Sequence, residues 1–337
     1  MATYNFTQAV AAATWVINHN MDAAGVVMDI IVDNTGTLEK VIPLSTVETD
    51  SNTITVTFPS AQSGYARLIE GGSQVTASIG YVIGDISLST YDSKSYNTTG
   101  ATDGMYFKAD GTTLFVVNQS ITGISQHTLS TPWDISTASN DSISFGTINE
   151  GTSPKGVYFK SDGTKMYVLN TDRKIHQYSL GTDWDITTAT YDSVFGTVYD
   201  ATNIQNFTMT DDGARLYTVS SSTDSVHQYS LGTDWNIGSL TYDSKSFAVG
   251  GASGTPRDII MSPDGSQMVI VDDNDFESEK VFLYDLGTDF DVTTATQNST
   301  LEFTFSVNPA NIAFNDDGTK LYIADLLNII YQYSTNI

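Results

Sequence analysis

From about residue 100 onward, apolar and polar positions repeat one pattern. A short apolar run leads into an Asp-Gly pair, then a second apolar run, then an alternating segment, then a polar one. The first runs are Met105-Tyr-Phe107, Val157-Tyr-Phe159, Phe207-Thr-Met209, Ile259-Ile-Met261 and Ile312-Ala-Phe314. The second runs cover 114–117, 166–169, 216–219, 268–271 and 321–324, and the alternating segments 124–129, 175–180, 226–231, 281–286 and 330–334. A loop with an aromatic and an acid, as in Thr182-Asp-Trp-Asp-Ile186, leads into a Thr- and Ser-rich piece such as Ala189-Thr-Tyr-Asp-Ser193. Each piece has the length of a strand, and Asp-Gly suits a tight hairpin where positive φ is needed. Asp110, Asp162, Asp212, Asp264 and Asp317, each followed by Gly, lie 52, 50, 52 and 53 residues apart. Four strands in a period near fifty predict a β-propeller blade, and five repeats predict five blades. Apolar inner strands fit, because neighbouring blades cover both their faces, whereas the outer strands meet water.

The fifth repeat ends at 331–337 without its fourth strand. The missing piece lies before the first repeat: Asp85-Ile-Ser-Leu-Ser-Thr-Tyr-Asp-Ser93 aligns without a gap on Asp185-Ile-Thr-Thr-Ala-Thr-Tyr-Asp-Ser193. Residues 85–96 are therefore predicted to form the outer strand of the last blade. Strands from both ends would then close the ring, leaving no open blade face.

Ahead of the repeats, strands are predicted at 14–20, 25–32, 41–44, 53–58 and 64–69, with a turn at Asn34-Thr-Gly36. The fold class expected is all-β: a small N-terminal β-sandwich (1–70), a small-residue linker (71–84) and a five-bladed β-propeller (85–337) closed by the strand at 85–96. The segments Trp15-Val-Ile-Asn-His-Asn20, Val41-Ile-Pro43, Asn52-Thr-Ile-Thr-Val-Thr-Phe58 and Ser63-Gly64 resemble a β-sandwich module of bacteriophage tail-fibre and appendage proteins. Met21 stands where that module usually has Leu, and the likeness covers about a fifth of the chain. It implies a virion protein, attached through this module to other virion proteins. Asp-Gly-Thr-Lys-Met-Tyr-Val and Gln-Tyr-Ser-Leu likewise resemble propeller-like repeats of phage structural proteins. His19 has no second His or Cys at ligand spacing and reads as a structural strand-end residue.

Charge narrows the partners. The formal net charge of −25 disfavours nucleic acid and anionic membranes, and no apolar run is long enough to span a bilayer. With no Cys, disulfide and thiol chemistry are absent. The N-terminus lacks a basic region and an adequate apolar core for a signal peptide, so export by the ordinary secretory route is not expected. The location implied is the virion, assembled in the host cytoplasm and exposed outside the particle.

Candidate chemistry is sparse. The five turn aspartates could suggest calcium, but such sites need six to eight oxygen ligands, and the turn role explains them better. Asp272-Asp-Asn-Asp-Phe-Glu277, an insertion in the fourth repeat, is the best local candidate for a cation, but reads foremost as a solvated loop. Trp133, Trp184, Trp235 and Phe290 share a column and read as inter-blade packing, with sugar-stacking pockets as the alternative. His176 and His227 share a column with Ser125, Phe282 and Tyr331, which argues against a metal or acid–base role there. The loops entering the inner strands differ from blade to blade, as loops at a functional channel mouth do. They nominate Asp103, Lys155, Gln205, Asn206, Arg257, Asp258 and Asn311 as ligand-binding residues.

No nucleophile elbow, His cluster or phosphate loop is present. The expectation is therefore a protein without a chemical step, cofactor, metal or catalytic residues. Its expected function is adhesion to a host-surface glycan or protein. Two alternatives stand beside it: an architectural capsid-decoration or fibre-connecting role, and a propeller glycosidase or depolymerase using Asp103 and Asp258. A homo-oligomer is expected, since fibre proteins are often trimers.

Overall fold

The computed structural model describes residues 83, 86–98, 100, 102–147, 153–199, 203–249, 255–273, 280–302 and 308–335, together with five strands before residue 80. For those five strands, and for residues 119, 299, 301 and 302, only the backbone course is described. The chain divides into two compact units, Met1–Gly80 and Tyr81–Ile337.

In the first unit, strands Thr3–Asn18, Val26–Asn34, Thr37–Lys40, Ser45–Asp50 and Thr53–Glu70 pair into one antiparallel sheet. Thr53–Glu70 is its centre, with Thr3–Asn18 and Val26–Asn34 on its two sides and Ser45–Asp50 also paired to it. The expected sandwich core, His19 and the linker 71–80 lie outside the described residues.

The second unit is a five-bladed all-β propeller. Each blade is a four-stranded antiparallel sheet. The inner strands are Thr102–Phe107, Pro154–Phe159, Ile204–Met209, Thr255–Met261 and Pro309–Phe314, and each contacts the next around a closed ring. The turn reading of the Asp-Gly pairs is visible in atoms. Asp110, Asp162, Asp212, Asp264 and Asp317 each accept a bond of about 3 Å through Oδ1 from the backbone N–H two residues on. The glycines that follow have φ between 68° and 75°.

The aromatic column packs on those turns. Trp133, Trp184, Trp235 and Phe290 each donate their backbone N–H to the turn glycine's carbonyl and lay the ring over it. A Cβ at Gly163 would come within 2.3 Å of the Trp184 ring. Their carbonyls then tie neighbouring blades: Tyr322, Tyr167 and Tyr217 donate hydroxyls to the backbone oxygens of Trp133, Trp235 and Phe290. The Gln-Tyr-Ser and Tyr-Asp-Ser repeats form a second tie. Gln177 accepts from Ile237 N–H of the next blade at 3.0 Å and donates to Asp192 at 2.7 Å in its own. Gln228 with Asp243, and Gln332 with Asp92, repeat this bridge to Val292 and Ile135. In blade 4, Leu283 replaces the glutamine and packs with Ile83 and Ile86 instead.

Closure by the early strand is as predicted. Thr90–Asn97 pairs antiparallel with Ile329–Ser334, placing Tyr96 opposite Ile330 and Tyr91 opposite Tyr333. His127 stands where the closing strand meets blade 1. It is fully buried, with Nδ1 2.9 Å from Tyr96 Oη and Nε2 2.9 Å from Ser125 Oγ. Burial pushes its pKa down to about 4, with Asp141 pulling the other way. A histidine whose folded pKa is depressed contributes stability that is full above its unfolded pKa and lost as pH falls. Acidification from pH 7 to pH 4.5 is expected to cost about 2–3 kcal/mol through this residue. Urea midpoints at both pH values check it: His127→Gln should flatten the fall, and an equal fall in both proteins would refute the assignment.

Candidate functional site

The inner strands explain why the nominated residues gather at one end of the channel. In every blade the register between inner and second strand slips near the start of the inner strand, at its second residue in blades 1, 2, 3 and 5 and at its third in blade 4. The extra residue is Asp103, Lys155, Gln205, Arg257 or Ala310. A bulge re-aims one side chain without disturbing the rest of the ladder. Five bulges at equivalent positions therefore place a ring of side chains at the mouth where inner strands begin.

Two pairs form across adjacent inner strands in this ring. Lys155 Nζ of blade 2 lies 3.5 Å from Asp103 Oδ2 of blade 1. Arg257 of blade 4 binds Asp273 Oδ2 through Nη2 at 2.6 Å and Nε at 3.1 Å, and reaches Gln205 Oε1 of blade 3 at 3.5 Å. Gln205 donates in turn to Ser221 Oγ at 2.7 Å. Lys155 and Arg257 keep 22% and 23% of their side-chain surface exposed, enough to meet a ligand. The local partner of Arg257 is Asp273, not its sequence neighbour Asp258.

The next residue in each inner strand faces the following blade and forms a polar belt around the axis. Asp258 accepts from its own blade at Ile259 N (2.8 Å), and from blade 5 at Ile312 N (2.9 Å) and Asn311 Nδ2. Asn206 also bonds to it, and Asn311 passes the link to Met105 N of blade 1 at 2.9 Å. Burial pushes the Asp258 carboxyl up to about 8, while these N–H donors pull against it. Blades 1 and 2 carry Gly104 and Gly156 here, and a Cβ on Gly156 would lie 2.0 Å from Asn206 Oδ1.

Of the seven nominated residues, Asp103, Lys155, Gln205 and Arg257 thus share the mouth. Asp258, Asn206 and Asn311 hold the ring together from inside. Asp258 turns its carboxylate to backbone and amide groups rather than to the channel mouth, so it does not pair with Asp103 as two hydrolytic carboxylates would.

Asn170, Asp272 and Asp273 end the second strands of blades 2 and 4 and are buried to 1%, 3% and 3% exposure. Asn170 carries no signal in the sequence, whereas Asp272 and Asp273 open the acidic insertion that the sequence marks as a cation candidate or a solvated loop. Its first two residues are instead the buried end of a strand, and burial raises the Asp272 pKa to about 6, with Asp224 and Asp273 adding to the rise. Residues 274–277 of that insertion lie outside the described residues.

No family model matches this sequence, and no curated protein matches it. Solved structures do. A protein from Lactobacillus plantarum aligns at 18% identity and a TM-score of 0.41 over 66% of this chain and 64% of its own. A Bacteroides uniformis protein described as a "putative 6-phosphogluconolactonase" aligns at 16% identity and a TM-score of 0.44, over 67% of this chain and 65% of its own. This chain thus spans a little under two thirds of either structure. Neither description is of a virion protein, so the virion assignment stands on the sequence resemblance alone. The expectation of a protein without a chemical step is contradicted by the second neighbour's description, that of an enzyme, and this is said of that protein alone. The five-bladed β-propeller itself is read from the strand order and ring contacts of this chain.

Proposed function

We propose that the propeller is a recognition module that holds its ligand at the channel mouth, and that this ligand belongs to a host-cell surface. The single observation behind the mouth is the bulge ring. The scaffold repeats nearly unchanged from blade to blade, yet the one side chain that each bulge re-aims differs in all five: Asp103, Lys155, Gln205, Arg257 and Ala310. A residue kept for packing would repeat with the blade, as the Trp column does. Host-surface adhesion follows from the phage-appendage likeness of residues 15–64, with the N-terminal unit joining other virion proteins and copies of the chain forming an oligomer.

The test is binding of the full chain to intact candidate host cells and to extracted surface glycans, with release of reducing ends followed in the same samples. Lys155→Ala together with Arg257→Ala is expected to weaken binding at least tenfold, about 1.4 kcal/mol or more. Unchanged binding in that double variant, or none to any surface, overturns the reading. Glycan release by the wild type would add a chemical step at the same mouth.

A further inference from the structure

We infer that the two mouth clefts between blades 1 and 2 and between blades 3 and 4 are subsites for the hydroxyl groups of a neutral sugar. This rests on the mouth being the ligand site and names the chemistry it reads.

Near the end of the second strand, opposite the residue before the bulge, every blade has a buried polar residue: Asn118, Asn170, Ser220, Asp272 and Asp325, all at 5% exposure or less. In three blades that side chain caps its own turn. Asn118 Oδ1 accepts from Ser120 N at 2.9 Å, Ser220 Oγ from Ser222 N at 3.2 Å, and Asp325 Oδ1 from Ile329 N at 2.7 Å. The other two break the rule. Neither Nδ2 nor Oδ1 of Asn170 has a hydrogen-bond partner, and Asp272, whose carboxylate accepts from the Thr255 backbone N–H, leaves Oδ1 without one. At Asn170 the turn is closed without it, by Arg173 N on the Asn170 carbonyl and by Asp172 on Lys174 N. A buried polar atom left unpaired costs about 1–3 kcal/mol, so two exceptions in one column call for a partner.

These exceptions fall in the two blades whose bulge residue is a cation, Lys155 and Arg257. Asn170 lies on the same strand face as Met166 and Val168, which pack against Phe115 and Val117 of blade 1. It therefore points into the cleft spanned by Lys155 and Asp103. Asp272 shares a face with Met268 and Ile270, which pack against Tyr217 and Val219 of blade 3, and so points into the cleft spanned by Arg257 and Gln205. Asp273, beside it, leaves Oδ1 unpartnered as well.

The charges decide the ligand class. Both cations are already neutralised, by Asp103 and Asp273. The cleft of blades 3 and 4 also carries Asp272 within the field of Asp224, on a chain of net charge −25, which disfavours an anion. An ammonium group or metal cation would meet Lys155 in one cleft and Arg257 in the other. A hydroxyl suits both, donating to a carboxylate oxygen or to Asn170 Oδ1 and accepting from Asn170 Nδ2. Several hydroxyls on one uncharged ligand describe a sugar.

The full-length protein would be titrated, by calorimetry and thermal shift, with glucose, galactose, mannose, rhamnose and N-acetylglucosamine, and with glucuronate and glucosamine as charged counterparts. At least one neutral sugar should bind saturably. Asn170→Leu should weaken it at least tenfold without lowering Tm, because no internal hydrogen bond is lost. Should Asn170→Leu fail to fold, Asp272→Asn, which exchanges the unpartnered oxygen for an amide, should weaken binding to the same extent. Absence of neutral-sugar binding overturns the inference, as does a well-folded Asn170→Leu that binds like wild type. Charged sugars binding alone, with loss in the Lys155→Ala, Arg257→Ala double variant, would overturn only the sugar class. Sugar binding that survives the double variant would overturn the mouth itself.

Discussion

Deleting residues 1–98 is expected to abolish the cooperative unfolding transition of the propeller, whereas deleting residues 1–84 should leave it in place. The two truncations differ by the closing strand Thr90–Asn97. Without it, Ile329–Ser334 becomes an edge with unpaired backbone groups, and blade 5 loses its outer wall. Side-chain anchors go with it. Asp92 accepts from Ser334 Oγ at 2.6 Å, Gln332 Nε2 at 2.8 Å and Lys320 Nζ at 2.9 Å. The bond between Tyr96 and His127 and the ion pair of Lys94 with Asp134, 2.7 Å long, cross from blade 5 to blade 1. In a ring of repeats each blade is stabilised mainly by its neighbours, so one open seam exposes apolar faces on both sides. Calorimetry or circular dichroism melts of the two truncations decide it. A sharp transition in the 99–337 protein at the temperature of the 85–337 protein would refute the closing role.

Asp258→Ala is expected to lower folding stability by about 3–5 kcal/mol, far more than loss of a mouth residue. The alanine leaves Ile312 N, Asn311 Nδ2 and the Asn206 side chain facing a site with no acceptor, all of them buried. Each orphaned buried donor costs about 1–3 kcal/mol, and the belt links blades 3, 4, 5 and 1 through this one carboxylate. Lys155→Ala, by contrast, removes one ion pair, 3.5 Å long with the lysine side chain still 22% exposed, worth about 1 kcal/mol. Urea unfolding of the two variants separates scaffold from site. A loss below about 1 kcal/mol for Asp258→Ala would show that the belt does not hold the ring.

The blade count, the order of the blade strands, the Asp-Gly turns and the closing strand were legible in the sequence. They depend on local rules that repeat: alternation or apolar runs set strands, Asp-Gly sets the turn, and the ungapped match of 85–93 to 185–193 supplies the missing strand. The strand boundaries were not legible: the inner strands begin earlier than their apolar runs, as at Thr102, and the closing strand spans Thr90–Asn97. The segments expected as loops entering the inner strands stood out because divergence inside a repeat needs no coordinates to be seen; their nominated residues lie within the inner strands, at and beside the bulges. What neighbouring residues do there was not legible. Arg257 and Asp258 are adjacent in sequence, yet one is re-aimed by the bulge to Asp273 and Gln205 while the other turns to blade 5. The same holds for Asn170, a mere strand end in sequence, whose amide is buried without a partner. Local pattern determines which residues form strands and turns. Only tertiary packing decides which face each side chain takes and what it meets there, since those partners come from blades some fifty residues away.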